Sequence, residues 1–170
     1  MLKTMKFGLA ISSLTAMSAA FADISVPMYT TSTQGVGRAV GTVTISETKG
    51  GLLFTPNLHN LGLTAGGHGF HVHQNPSCTN QGMAAGEHLD PNSTGEHLGP
   101  RNMKGHLGDL PRLLVTTNGM ATTPVVAPKL KHLSEVQNHS LMIHQGGDNY
   151  SDKPQKSGGG GARMICGVIK

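Results

Sequence analysis

Between Gly86 and Asp109 the chain sets three histidines, His88, His97 and His106, nine residues apart, with Asp109 three residues beyond the last. The segment, GEHLDPNSTGEHLGPRNMKGHLGD, is rich in Gly, Pro and Asn, so it is predicted to be neither helix nor strand. Three imidazoles and a carboxylate supply four N/O donors, the number with which a tetrahedral Zn²⁺ site closes. Imidazole with carboxylate suits zinc, whereas an all-imidazole set suits copper or zinc. A loop of this length has little core of its own. Metal binding would give it a fixed shape, because ligand-binding free energy becomes ordering free energy.

A second set of donors sits on predicted strands. In GFHVHQ, residues two apart face the same way. Phe70 and Val72 suit the core, so His71 and His73 project side by side from the other face. In SLMIH, Leu141 and Ile143 point inward and His144 points outward. A His-x-His pair alone is weak evidence for a metal, since most histidines are ordinary surface or half-buried residues. His68 falls on the core side of its strand and reads as a hydrogen-bonded structural histidine. His59, His132 and His139 read as surface residues.

The elements that must position these donors are short strands. Val43 and Ile45 share one face of GTVTIS; Leu52, Phe54 and Leu58 share one face of LLFTPNL. LLVTTNG ends in Asn118-Gly119, a strong hairpin-turn signal. SLMIHQ and RMICGVI are further strands. Lys129 to Val136 has room for one helical turn and no more. Many short strands punctuated by Gly and Pro predict an all-β sandwich or barrel. Two long loops interrupt it, one from about Asn75 to Leu110 and one from about Gly146 to Gly161, and loops of this length in a compact domain are usually functional.

The N-terminus predicts export. Met1 to Lys6 carries two lysines, Phe7 to Ala20 is mostly apolar, and Ala20-Phe21-Ala22 has the small-x-small pattern of a signal-peptidase site. Residues 1–22 are therefore read as a signal peptide and 23–170 as the mature domain, cleaved after Ala22. The apolar run is short for a membrane span, and no later stretch approaches one. The whole chain has 13 Lys and Arg against 9 Asp and Glu, a net charge of +4, which falls to +2 once Lys3 and Lys6 are removed. That balance, with no basic stripe interleaved with aromatics, argues against nucleic acid as a partner. Two cysteines, Cys78 and Cys166, suggest a disulfide in an exported protein, with two buried free thiols as the alternative.

Six motifs in order, GFHVHQNPSC, AAGEHLDP, TGEHLGP, GHLGDLP, LMIHQGGDNYSD and GGGGARMICGVI, resemble the Cu,Zn superoxide dismutases, most closely their bacterial periplasmic branch. The resemblance spans essentially the whole mature chain. It implies a Greek-key β-barrel or sandwich of about eight antiparallel strands. It implies copper on His71, His73, His88 and His144, and zinc on His88, His97, His106 and Asp109, with the deprotonated ring of His88 shared between them. Arg163 resembles the family's active-site arginine. Asp148 resembles the carboxylate that links a copper histidine to a zinc histidine. Cys78 and Cys166 resemble its disulfide.

The implied reaction is dismutation of superoxide to O₂ and hydrogen peroxide, with copper cycling between two oxidation states and His88 exchanging a proton. The implied setting is the periplasm. Lysines near the second loop, such as Lys153, would help steer the anion. Monomer and homodimer are both open, since few aromatics offer an interface anchor. Two other readings stay in view: an exported copper or zinc buffer without turnover, in which an anion-stabilising arginine has no role, and a purely structural sandwich domain, which leaves the seven donors unexplained.

Overall fold

The protein is described by a computed structural model over residues 22–170. The segment read as a signal peptide lies, apart from Ala22, outside the described residues.

Among the described residues nine strands follow one another: β1 (Ile24–Ser32), β2 (Gly35–Thr48), β3 (Gly51–Leu58), β4 (Gly66–His68), β5 (Phe70–His73), β6 (Leu113–Val115), β7 (Val125–Ala127), β8 (His139–His144) and β9 (Arg163–Ile169). Seven form one curled antiparallel sheet in the order β5-β8-β9-β1-β2-β3-β7, and β4 pairs with β6. Helical structure among the described residues is confined to three single 3-10 turns, at Met83–Ala85, Leu133–Glu135 and Ser157–Gly159. The Leu133–Glu135 turn is the one predicted within Lys129 to Val136.

Side-chain alternation explains the strands. Val43 and Ile45 of β2, and Leu52, Phe54 and Leu58 of β3, are fully buried. Phe54 meets Phe70 of β5 edge-on, with ring centroids 5.8 Å apart, tying β3 to the edge strand β5 across the barrel. Strand β1 also alternates, with Ile24, Val26 and Met28 inward, yet Pro27 hides this in the sequence because proline removes a ladder donor. The strand tolerates it in a central position because β9 pairs with β1 only at Tyr29 and Thr30.

The Asn118-Gly119 signal marks a real turn. Gly119 takes a left-handed φ of 68° and its N–H donates to Thr116 O at 3.0 Å. The chain beyond it does not extend a ladder on β6, however. Ala121 bonds instead to Leu58 of β3, and β6 pairs with β4.

The two predicted loops become connections between β5 and β6 (residues 74–112, the first loop) and between β8 and β9 (residues 145–162, the second loop). Cys78 of the first loop is disulfide-bonded to Cys166 of β9, 88 residues away. Around the bridge, Ala85 and Met142 form a small core separate from the main one.

Candidate metal centre

The first loop folds back onto β5 and uses its backbone. Val72 N–H donates to Gly108 O at 2.9 Å, Leu89 N–H to Val72 O at 2.8 Å, and Gln74 N–H to Glu87 O at 3.0 Å. An edge strand's unpaired groups are thereby satisfied. The pairing also sets register: His88 comes opposite His73, and Asp109 opposite His71. Gly108 makes the approach possible, since a Cβ there would stand 2.2 Å from Val72 O.

His71 and His73 point away from Phe70 and Val72, as the strand period requires, but they are not exposed. Both are fully buried, because the two loops close over that face of the barrel. His144 arrives from β8, which pairs with β5, and a register irregularity at Ile143/His144 sets it beside Arg163 of β9.

Two groups of donors result. His71, His73, His88 and His144 form one and His88, His97, His106 and Asp109 the other, each with its donor atoms within 4.8 Å of one another. His88 belongs to both. Its Nδ1 lies 2.9 Å from Asp109 Oδ1, which leaves Nε2 for the first group.

The buried nitrogens His71 Nδ1, His73 Nε2, His144 Nε2, His97 Nδ1 and His106 Nδ1 have no hydrogen-bond partner. An unsatisfied buried polar atom costs about 1–3 kcal/mol, so five of them converging on two points call for ligands other than protein. An all-imidazole set suits copper, and three imidazoles with a carboxylate suit zinc.

The opposite ring nitrogens are held. His73 Nδ1 lies 2.9 Å from Gly86 O and His144 Nδ1 3.3 Å from Gly161 O. His71 Nε2 and His97 Nε2 lie 2.8 and 2.7 Å from the two oxygens of Asp148, which thus joins the groups from outside. Such bonds fix which nitrogen is left for a metal. Gly158, at φ 74°, permits this junction, because a Cβ there would stand 2.0 Å from Asp148 Oδ1. His68 is buried, with Nδ1 3.0 Å from His144 O and Nε2 2.8 Å from Thr64 O, the structural role its sequence position suggests. His59 and His132 are exposed and His139 partly so.

Three supporting residues lie outside the predicted donor set. Asp152 accepts from the N–H groups of His97 and Ser157, each at 2.8 Å. Tyr150 lies against Gly99, and its hydroxyl accepts from Arg112 N–H at 3.1 Å. Buried Lys129 donates to Gly99 O and His106 O. The first two lie within the LMIHQGGDNYSD motif that carries His144 and Asp148; the lysine, remote from every motif, left no such signal.

Burial sets the protonation of the first group. It holds His71 and His73 well below the ordinary imidazole range, with His88 adding to the effect. Burial lowers His144 to about 4. Burial also lowers His88, against the opposing pull of Asp109. In the second group burial is outweighed: Asp109 and Asp148 raise His97 to about 9. Burial likewise fails to raise Asp109, because His106, His88 and His97 face its carboxylate and hold it below the usual range.

A pocket of about 290 Å³ opens at the first group, lined by His88, His144 and Arg163 together with Met83, Glu87 and Lys156. Arg163 Nη1 donates to Gly82 O at 2.8 Å, which steadies the guanidinium at the pocket wall. Its partial burial lowers its pKa from a value so high that it remains a cation at neutral pH. Lys153, the residue expected to steer an anion, is not part of the lining; Lys156 is.

The family model described as copper/zinc superoxide dismutase matches residues 39–169. The chain is 56% identical over 155 residues to superoxide dismutase [Cu-Zn] 1 of Salmonella typhimurium, covering 86% of each. The Cu/Zn superoxide dismutase from Brucella abortus has the same fold, with a TM-score of 0.82 and 52% identity over 88% of this chain and all of that one. The solution structure of the monomeric copper, zinc superoxide dismutase from Salmonella enterica gives a TM-score of 0.77 at 54% identity, again over 88% of this chain and all of that one. Barrel, loops, disulfide and paired donor groups therefore have one reading: the chain belongs to the copper/zinc superoxide dismutase family, oxidoreductases that use copper and zinc and act on superoxide.

Proposed function

We propose that the protein dismutes superoxide through a copper held by His71, His73, His88 and His144 and a zinc held by His88, His97, His106 and Asp109, with the ring of His88 common to both. The observation that carries this reading is the set of five buried ring nitrogens without hydrogen-bond partners, which fall into the two groups that His88 joins. When bound, copper supplies a one-electron redox couple and zinc a fixed, redox-silent charge.

The chain's own groups do the rest. Arg163 faces the pocket and offers a fixed cation and hydrogen bonds to a small anion. Nε2 of His88 is the atom at which a proton is held and released between the two halves of the cycle, in which two superoxide ions and two protons give O₂ and hydrogen peroxide. Asp148 keeps His71 and His97 oriented, so the two metal sites are shaped together. Residues 1–22 act as an export signal, and the mature enzyme works in the periplasm against superoxide arriving from outside. The monomeric Salmonella enterica relative makes a single subunit the expected form.

The test is superoxide consumption by purified mature protein with equimolar copper and zinc, with and without a copper-selective chelator. Activity should vanish with the chelator. His144→Ala should abolish activity while zinc content stays near one per chain. Retained activity in that variant would overturn the copper assignment.

A further inference from the structure

We propose that Lys129 is a positioning residue for the zinc loop: its buried ammonium staples both ends of an exposed excursion of the loop to the barrel. The inference rests on the zinc assignment above.

Lys129 lies two residues beyond β7, in a segment fixed to the barrel where Leu52 N–H donates to Leu130 O at 2.9 Å. Its Nζ donates to Gly99 O at 2.9 Å and to His106 O. Between those two acceptors the chain leaves the body of the protein, and Arg101, Asn102, Met103 and Lys104 are all exposed. The excursion has no apolar packing at its tip, with Met103 74% exposed.

One side chain therefore holds the entry and exit of a segment that ends on a zinc ligand. The staple also reaches a second ligand through a peptide group. Gly99, whose carbonyl Lys129 binds, donates its own N–H to Asp109 Oδ2 at 3.2 Å. Lys129 thus fixes the backbone of His106 directly and the carboxylate of Asp109 through Gly99.

A cation here is not chosen for its field, which would repel a divalent metal. An ammonium carries three donors on a flexible stem: it satisfies Gly99 O, which has no other partner among the described residues, and joins the Asp109 N–H, 3.4 Å away, on His106 O. Its purpose is geometric, as for other groups that orient metal ligands from behind. Because three of the four copper ligands, His71, His73 and His144, lie on β5 and β8, the staple acts far more on one metal than on the other.

The test compares metal release from the fully metallated mature protein into a colorimetric zinc chelator, with copper followed by its visible absorption. Lys129→Met should release zinc about 10–100-fold faster, with copper release within about 2-fold of the parent. Lys129→Arg, which keeps donors and charge, should return zinc release to within about 3-fold of the parent, on the same scale. If K129M does not fold, Lys129→Gln is read by the same criterion. Unchanged zinc release, equal acceleration of both metals, or no rescue by arginine would overturn the proposal. Should the parent protein itself hold no zinc, the zinc assignment fails instead, and the two failures are told apart by the parent's metal content.

Discussion

His97 Nδ1 lies 3.0 Å from Asp109 Oδ1 yet makes no hydrogen bond to it. The same oxygen has His88 Nδ1 at 2.9 Å and His106 Nδ1 at 3.4 Å. His88 Nδ1 is hydrogen-bonded to that oxygen, whereas the His97 and His106 nitrogens come close without donor geometry, and the four atoms converge on a point between them. Ligands about 2.0–2.1 Å from a tetrahedral ion stand roughly 3.3–3.4 Å apart, near the spacing found.

Asp109→Asn should therefore remove zinc selectively. The amide keeps the shape but loses the anion that completes the set. Zinc affinity should fall at least about 100-fold, beyond the usual effect of losing an outer-shell partner. Copper should stay, because its other three ligands come from β5 and β8. Metal analysis after dialysis against a chelator checks this; loss of both metals together would contradict it.

The two sites should respond differently to pH. Without an ion, burial opposes a proton on His97, but Asp109 and Asp148 prevail and raise it to about 9. That raised value stabilises the zinc-free fold fully below the unfolded value near 6.5 and loses the contribution as pH rises through about 9. Zinc needs the neutral ring, so uptake at pH 7 expels a proton, and affinity should rise about tenfold per pH unit from 7 towards 9. His144 is lowered to about 4 by burial and is neutral throughout that range, so copper affinity of the zinc-free protein, in which His88 keeps its one ring proton, should stay nearly flat. Metal-buffered titrations at several pH values test the contrast, which parallel slopes would refute.

Much of this centre was legible because metal ligands are set by residue type and spacing. The period of two placed His71 and His73 opposite Phe70 and Val72, and the His88–Asp109 run announced its donors. The lids were not legible. Nothing local to GFHVHQ says that its polar face will be sealed, since sealing depends on Gly108 docking a distant loop on β5. Strand β1 was obscured by Pro27, whose missing donor matters only where a neighbour needs it. Lys129 was unreadable for a different reason: its partners are backbone carbonyls, which every residue has, so no spacing signals them.

Arg163 and Lys156 line the same pocket, but they should fail differently. Arg163 is anchored on Gly82 O and, in the role proposed for it, would contact the anion at the reacting centre. A charge-assisted hydrogen bond is worth about 1.5–3 kcal/mol, so Arg163→Ile should lower kcat/KM by about 10–150-fold at every ionic strength. Lys156 acts through its field. Lys156→Gln should cost about 2–3-fold at low salt and nothing measurable near 1 M, where screening shortens to about 3 Å. Lys153→Gln should have the smaller effect. Stopped-flow superoxide decay across a salt series separates the two, and a salt-independent Lys156 effect would contradict the assignment.

The Cys78–Cys166 bridge should support both stability and the position of Arg163. It closes a span of 88 residues, for which chain entropy gives about 4–5 kcal/mol as an upper estimate. Four residues beyond Cys78, Gly82 supplies the carbonyl that anchors Arg163, and Cys166 lies three residues beyond that arginine on β9. The disulfide thus holds anchor and anchored group together. Replacing both cysteines with serine should lower the melting temperature by up to about 8–20 °C, taking about 2–4 °C per kcal/mol for a domain of this size. Activity per bound copper should fall as well, because the guanidinium loses its fixed place while His71, His73 and His144 keep theirs. Calorimetry and metal-normalised assays test the two parts, and full activity per copper in the double variant would show that Gly82 holds Arg163 without the bridge.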